Sequence, residues 1–253
     1  MAIDLEAIKA KLNKLQTTTT RQNNLWKPEA GKQTIRIVPY QHDRSNPFQE
    51  LYFHYEIGKK NFLSPVTYGG ADPIVEFADK LKSSGSSDDW KFGKKLEPKM
   101  RTYVPIVVRG QESEGVKFWG FGKNVYTELL GFIADADYGD ITDPINGRDI
   151  VVEFTPADSK GAYPKTTIRV KPNTTPVTED RSIAERISKQ QPNLKEIFKE
   201  PSYDELKQAL EEWLNPSEET QEDTNTSTPE HEPSVNKVDD VGAAFDALFN
   251  DND

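Results

Sequence analysis

The side chains with the clearest capacity for chemistry are aromatic residues set beside lysines and arginines. The run Lys117-Phe-Trp-Gly-Phe-Gly-Lys123 is the densest example, and Lys99-Met-Arg-Thr-Tyr103 repeats the mixture nearby. Aromatic faces stack on unpaired bases of any sequence, while Lys and Arg side chains contact phosphates. This mixture therefore indicates a surface for single-stranded nucleic acid.

The candidate contacts fall into two groups. Phosphate contacts are expected from seven cations, namely Arg36, Lys59, Lys60, Lys99, Arg101, Lys117 and Lys123. Stacking faces are expected from six aromatic residues, namely Tyr40, Tyr55, Tyr103, Phe118, Trp119 and Phe121. Because successive side chains of a strand point to opposite faces, Phe118 and Trp119 cannot both enter one core. One of them is expected to face outward, although in the alternative interpretation such aromatic residues only fill a core.

Catalytic constellations are missing from the sequence. There is no cysteine, and the only histidines are His42, His54 and His231, with no Ser-His-Asp arrangement suggested. The acidic run 135–143 resembles the first half of a calcium loop but lacks the closing Glu. A Mg²⁺-dependent nuclease built on this run is the least favoured interpretation, since no general base accompanies it. The sequence predicts a protein that is not an enzyme and has no cofactor and no metal site.

Charge is distributed unevenly along the chain. The formal net charge is −10 at pH 7, which by itself argues against nucleic acid. Residues 1–177, however, hold 25 basic against 22 acidic side chains, and residues 218–253 hold eleven acids and one base, Lys237. The acidic end therefore accounts for the overall sign and leaves a mildly basic region free to meet phosphates.

The apolar pattern predicts a mainly β protein with helices, of the α+β class. Strands are expected at 34–39, 51–57, 102–108, 116–121, 149–154 and 166–170, the last two as a hairpin. Helices are expected at 73–81, 124–134, 182–189, 194–199 and 203–214, the last with Ser202 and Glu205 as a capping box. A small closed barrel of the OB type with an inserted helix fits this order, and a sandwich is the alternative.

Both ends of the chain differ from this core. Residues 1–24 are expected to form a helical N-terminal arm for self-association, through Leu5, Ile8, Lys9, Lys11, Leu12 and Lys14, with packing on the core as the alternative. Residues 25–214 are the predicted DNA-binding core. Residues 215–253 are predicted to be a disordered acidic tail that ends in a partner-binding peptide. Its contacts are expected from Asp239, Asp240, Phe245, Leu248 and Phe249.

The order and spacing of several segments resemble the single-stranded DNA-binding, helix-destabilising proteins of T4-type phages. The likeness rests on Trp26-Lys27, Gly31 through Ile35-Arg36 to Pro39, Asn46-Pro47-Phe48 and Lys99 to Val108. It continues through Glu114 to Phe118, Phe121-Gly-Lys123 and the Asp-rich tail. It is weakest over residues 64–98 and 172–237.

The resemblance implies an OB-fold core, cooperative binding along the strand through the arm, and a tail that contacts replication and recombination proteins. It also implies a role in DNA replication, recombination and repair in the cytoplasm of the infected host cell. In the sequence itself, no stretch approaches the eighteen apolar residues of a membrane span. The family's best-known member holds zinc through three cysteines and a histidine, so the absence of cysteine predicts a zinc-free variant. The alternative function is a protein-interaction scaffold that binds no nucleic acid.

Overall fold

The computed structural model describes Lys9, residues 24–55, 57–58, 60–158 and 162–215, and Phe245, Leu248 and Phe249. This part of the chain contains eight strands: β1 (Leu25–Trp26), β2 (Gly31–Ile37), β3 (Gln49–His54), β4 (Phe62–Leu63), β5 (Lys99–Val108), β6 (Lys117–Phe121), β7 (Arg148–Thr155) and β8 (Lys165–Thr174). It also contains six α-helices: α1 (Pro73–Lys82), α2 (Ser87–Leu96), α3 (Lys123–Ala134), α4 (Arg181–Lys189), α5 (Leu194–Ile197) and α6 (Tyr203–Leu214).

The mixed α+β class predicted from the sequence is confirmed, and the bounds of α6 agree residue for residue. Its cap is the predicted one, since the amide of Glu205 donates to Ser202 Oγ at 3.1 Å. Helix α2 was not predicted from the sequence. Ser86 accepts from the amide of Asp89 at its N-terminus, so the helix begins with an ordinary serine cap. None of the helices in the described residues is long and apolar enough to cross a membrane.

The described chain divides into two compact units. The first unit comprises residues 1–50 and 101–199, and the second comprises residues 51–100 and 200–253. The first unit contains nearly all of the long strands together with α3, α4 and α5. The second contains β4, most of β3, and helices α1, α2 and α6.

Strands of the first unit follow the spatial order β1-β6-β5-β2-β7-β8. The short β1 runs parallel to β6, whereas the other neighbours along this path are antiparallel. The predicted hairpin of β7 and β8 is confirmed, and α3 lies between β6 and β7 in sequence. The described pairings include none between β6 and β8, so barrel closure stays a prediction.

One face of this sheet carries the core of the first unit. Alternate residues of each strand point into it, as Ile35 and Ile37 of β2 do opposite Val108 and Ile106 of β5. The full buried cluster is Ile35, Ile37, Phe48, Val104, Ile106, Val108, Trp119, Phe121, Val125, Leu129, Ile141, Ile150, Val152, Ile168 and Val170. The opposite side of the sheet is called the outer face below, and it includes Arg36, Val107, Phe118 and Arg169.

The second unit is built around helices α1 and α6. Their buried side chains join those of neighbouring segments in one apolar cluster of Ile57, Phe62, Ile74, Phe77, Ala78, Leu81, Leu96, Leu206, Leu210 and Phe245. Helix α2 approaches α1 closely at Gly93, where an added Cβ would lie 2.6 Å from the carbonyl oxygen of Ala78. Glycine at this position therefore sets how closely the two helices pack.

A buried polar network stabilises the start of α1 in the second unit. The ring of His54 places Nε2 2.8 Å from Asp72 Oδ2 and Nδ1 3.0 Å from the carbonyl oxygen of Leu96. The hydroxyl of Ser64 also donates to Asp72 Oδ2. The other carboxylate oxygen, Oδ1, accepts from the amide of Ile74. Burial raises the pKa of Asp72, but hydrogen bonds from His54 and Ser64 outweigh it, so the net shift is downward.

The region around residues 64–98, for which the sequence predicts a zinc-free variant, belongs to the second unit. In the part of the chain that the structure describes, no group of three or more His, Asp or Glu side chains is placed to hold a metal ion. The region contains instead α1, α2 and the network of His54, Asp72 and Ser64.

Candidate nucleic-acid interface

The aromatic residues of β6 are buried on both faces of the strand. Trp119 is 2% exposed and packs edge-on against Trp26, with ring centroids 5.7 Å apart, inside the core of the first unit. Phe118 is 0% exposed and lies on the outer face, where its ring meets Tyr40 at 5.5 Å. The two side chains point to opposite faces of the strand, as predicted, but Phe118 offers no open stacking face, because the sheet is covered on both sides at this strand.

The cover over Phe118 comes from the segment that contains α5. The hydroxyl of Tyr40 accepts from the amide of Leu194 at 3.1 Å, and burial raises the pKa of this hydroxyl. The ring of Tyr103 lies 4.8 Å from that of Phe198. Tyr40, Tyr103 and Phe121 are also buried, so all five predicted stacking residues of the first unit, counted with Phe118 and Trp119, serve packing rather than an open surface.

Gly120 explains how Tyr103 lies flat on the neighbouring strand. A Cβ built on Gly120 would lie 2.5 Å from Cε1 of the Tyr103 ring, closer than any side chain tolerates. The glycine in the aromatic run is therefore a packing requirement of the tyrosine opposite it in the β5–β6 register.

Arg36 also differs from its predicted role. Its side chain is 0% exposed, and Nη2 lies 3.0 Å from Asp149 Oδ1 while donating to the carbonyl oxygen of Thr175 at 2.7 Å. Arg109 approaches the same carboxylate oxygen, with Nε at 2.8 Å. Burial raises the pKa of Asp149, but Arg109 and Arg36 outweigh this and lower it overall. Arg36 belongs to a buried ion network and has no surface with which to meet a phosphate.

The other predicted cations of the first unit reach the surface. Arg101 and Lys123 are exposed, and Arg101 donates from Nη2 to the carbonyl oxygen of Gly120 at 2.8 Å. Lys117 is half-buried and forms an ion pair with Glu114, with Nζ and Oε2 2.6 Å apart. These side chains stay candidates for phosphate contact.

In the second unit Lys60 and Lys99 are exposed, and Lys60 pairs with Glu205 at 3.0 Å. Tyr55 is half-buried beside Phe53, with ring centroids 6.1 Å apart. Lys59 lies outside the described residues.

A basic row on β8 was missed by the sequence interpretation. Lys165, Arg169 and Lys171 alternate with inward residues such as Ile168 and Val170, so all three lie on the outer face of the hairpin. Lys32 on β2 joins this surface across β7, opposite Glu153, with its Nζ 3.8 Å from that carboxylate. We call Lys32, Lys165, Arg169 and Lys171 the basic row.

The basic row retains free positive charge and has an aromatic neighbour. Within the described residues, neither Lys165 nor Arg169 forms an ion pair, and both are exposed. Lys171 lies 3.7 Å from Asp149, a carboxylate already held by two arginines. Tyr163, two residues before β8, is 92% exposed, the largest exposure among the big apolar and aromatic side chains described. In the sequence, the alternation of basic and apolar residues over 165–171 was the pattern that could have predicted the basic row.

The acidic run 135–143 uses its carboxylates locally. Asp140 accepts from the amide and hydroxyl of Thr142, and Asp143 accepts from the amides of Ile145 and Asn146. These are turn-forming contacts, in which the side chain replaces a backbone acceptor. They give the run a structural role at the loop between α3 and β7.

The predicted self-association and partner contacts are only partly described. Lys9 is exposed, while Leu5, Ile8, Lys11, Leu12 and Lys14 lie outside the described residues, as do Asp239 and Asp240. Phe245, Leu248 and Phe249 are described, and they pack within the second unit.

Comparison with known proteins identifies the family to which the chain belongs. The family model described as gp32 DNA binding protein like matches residues 29–214, which is more than half of the chain. The matched range begins just before β2 and ends at the last residue of α6. No curated protein matches the chain. On the family model, the chain belongs to the gp32-like family of DNA-binding proteins.

Proposed function

We propose that this protein binds single-stranded DNA without sequence preference, and that the outer face of the β7–β8 hairpin is a principal contact surface. The observation that carries this proposal is the basic row, with Lys165, Arg169 and Lys171 on one face of a single strand and the exposed ring of Tyr163 beside it. Membership of a DNA-binding family supports the same conclusion.

The geometry of a strand suits a backbone of repeated charges. Alternate residues of a β-strand lie about 6.8 Å apart on one face, so Arg169 and Lys171 are one such interval apart and Lys165 is two intervals from Arg169. Lys and Arg held in this way neutralise phosphates and release counterions, which gives affinity independent of base sequence. In OB-type barrels, the fold that the sequence predicts, the loop between the last two strands is also a common site of oligonucleotide contact.

Preference for a single strand follows from Tyr163. An exposed aromatic ring can stack on an unpaired base, whereas the bases of a duplex are already stacked on their neighbours. Stacking uses the face that every base has, so it adds affinity without selecting a sequence. Arg101, Lys117 and Lys123 of the first unit, and Lys59, Lys60, Lys99 and Tyr55 of the second, remain proposed additional contacts.

The test of this function is a titration of labelled oligo(dT) followed by fluorescence anisotropy, with a duplex of equal length as control. Tight binding of the single strand, with weak binding of the duplex, supports the proposal. Failure to bind either would favour the alternative function, a protein-interaction scaffold.

Removing two unpaired cations of the basic row is expected to weaken binding substantially. Each phosphate contact on a single strand contributes a salt slope of about 0.7, so Lys165→Ala with Arg169→Ala should cost roughly 25-fold in affinity at 0.1 M salt. The matched control is Arg181→Ala with Lys199→Ala, which removes one arginine and one lysine, both exposed, from elsewhere in the first unit. Equal losses in the two double variants would show a general charge effect and contradict a local site.

Replacing Tyr163 separates stacking from charge. Tyr163→Ala is expected to weaken oligo(dT) binding by about 1–3 kcal/mol, the usual contribution of one base–aromatic stack. Tyr163→Phe keeps the ring and should bind as the unchanged protein does. Because the side chain is 92% exposed, neither change should alter the unfolding midpoint. Loss of affinity in the Phe variant as well would point to the hydroxyl and away from stacking.

The wider role that we propose is protection of single-stranded DNA during phage replication, recombination and repair. The likeness to T4-type phage proteins supports this role, as does the division of charge between a mildly basic region and an acidic end. Residues 1–24 are proposed to mediate cooperative binding along the strand, and the tail to recruit replication and recombination proteins. Comparing binding to short and long oligo(dT) tests the arm, because cooperativity appears only when several copies fit on one strand.

A further inference from the structure

The predicted partner-binding residues of the tail are held inside the second unit. Phe245 is 3% exposed, and its ring packs edge-on against Phe77 of α1 with centroids 5.9 Å apart. Phe249 packs against Phe245 at 4.8 Å, and Leu248 lies against the same apolar cluster. The spacing of these three residues places them on one side of a helical turn.

The surface that contacts them is formed by α1, α6 and neighbouring segments of the second unit. Its buried members include Ile74 and Phe77 from α1, and Leu206 and Leu210 from α6, all 0% exposed. An amphipathic helical segment laid into an apolar groove by residues at i, i+3 and i+4 is a recurrent mode of peptide recognition. The contacts in this unit have that form.

A lysine at the edge of the groove matches the chemistry of the segment. Lys207 on α6 donates from Nζ to the carbonyl oxygen of Phe249 at 3.3 Å and lies 5.1 Å from the centroid of the Phe249 ring. The terminal residues 238–253 contain five acids and no base. The groove therefore combines apolar burial with a cation suited to an acidic aromatic peptide.

We propose that the groove between α1 and α6 is an intramolecular receptor for the C-terminal segment, and that partner proteins compete with it for Phe245, Leu248 and Phe249. A side chain that is 3% exposed offers no surface to a second protein, so binding a partner through Phe245 requires release of the segment. The apparent affinity of the tail for any partner is then reduced by the fraction of chains whose segment is released. This proposal does not depend on where DNA binds.

The experiment uses a fluorescein-labelled peptide of residues 238–253 and full-length protein without DNA. In the unchanged protein the groove is occupied by its own segment, and the peptide should bind weakly. In full-length Phe245→Ala with Phe249→Ala the resident segment loses its anchors, and the labelled peptide should bind at least tenfold more tightly by anisotropy. Failure of this variant to gain peptide binding, while its circular dichroism shows that it is folded, would overturn the proposal.

Two controls make the result specific. A labelled peptide carrying the same two alanines should not bind, and adding Lys207→Glu to the double variant should reduce the gain, because the change places an acid beside an acidic peptide. Binding of the alanine peptide as tightly as the natural one would contradict recognition through the aromatic residues.

Sedimentation over a range of concentrations shows whether the groove is occupied by the segment of the same chain or of a second copy. A dimer that disappears in Phe245→Ala with Phe249→Ala would assign the groove to the segment of a second copy and contradict the intramolecular form.

Discussion

Trp119→Ala is expected to lower the free energy of unfolding by about 3–5 kcal/mol, the range for removing a large aromatic side chain from a core. The indole is 2% exposed and contacts the rings of Trp26 and Phe121, at centroid distances of 5.7 and 4.6 Å. Truncation leaves a cavity that the neighbouring side chains cannot fill without moving. Urea denaturation followed by circular dichroism measures the change.

The matched control for this substitution is Trp90→Ala. Trp90 is 50% exposed on α2, so its loss should change the unfolding free energy by no more than about 0.5 kcal/mol. The fraction of Trp119→Ala that remains folded should bind oligo(dT) with unchanged affinity, since the indole has no open face. A variant that kept its stability and lost DNA binding would restore the stacking role predicted from the sequence.

Asp149→Ala is expected to have an effect of similar size, about 3–5 kcal/mol, because it leaves two arginines without their carboxylate. Arg36 is fully buried and Arg109 mostly so, and both approach Oδ1 of this residue. Several of their other hydrogen bonds run to residues 175–177, so the network also fixes the chain after β8. Glu153→Ala on the same strand is the control, since its ion pair with Lys32 is half-exposed and contributes at most about 1 kcal/mol.

The contribution of Asp149 should depend on pH in a definite direction. Its pKa is lowered in the folded protein, because the two arginines outweigh the opposing effect of burial. The carboxylate therefore stabilises the fold fully above the ordinary pKa of an aspartic acid, near 4, and this stabilisation is lost as pH falls through the lowered folded value. Denaturation of the unchanged protein and of Asp149→Asn from pH 7 to pH 2.5 should give stabilities that converge toward the acid end. A gap that stayed constant would contradict the ion-pair origin.

Local sequence patterns were enough for most of the elements. Period-two alternation predicted the β7–β8 hairpin, and the capping residue Ser202 predicted the start of α6. Both signals lie within a few neighbouring residues. Helix α2 was missed because Ser86 caps a ten-residue run in which half of the residues are charged and the apolar stripe is short. A hydrophobic pattern predicts a helix poorly when the buried stripe contains a glycine at its closest contact, as Gly93 does here.

Local sequence patterns could not predict which residues are buried on the outer face of the sheet. Whether Phe118 faces solvent depends on Leu194 and Phe198, which are more than seventy residues away in sequence and cover this end of the sheet. Arg36 resembles a surface cation until Asp149 and Thr175 are brought to it by tertiary contacts. The aromatic run therefore led to a DNA-binding interpretation from residues that mainly pack the core. The basic row, which contains no aromatic residue, was overlooked.

The most direct test of the central claim, that the basic row binds single-stranded DNA, is the salt dependence of oligo(dT) affinity. The logarithm of the association constant is plotted against the logarithm of salt concentration for the unchanged protein and for Lys165→Ala with Arg169→Ala. Loss of two phosphate contacts predicts a slope shallower by about 1.4 in the double variant, with the slope of Arg181→Ala with Lys199→Ala unchanged. Parallel lines for the unchanged protein and the basic-row variant would show that these side chains contact no phosphate and would contradict the account.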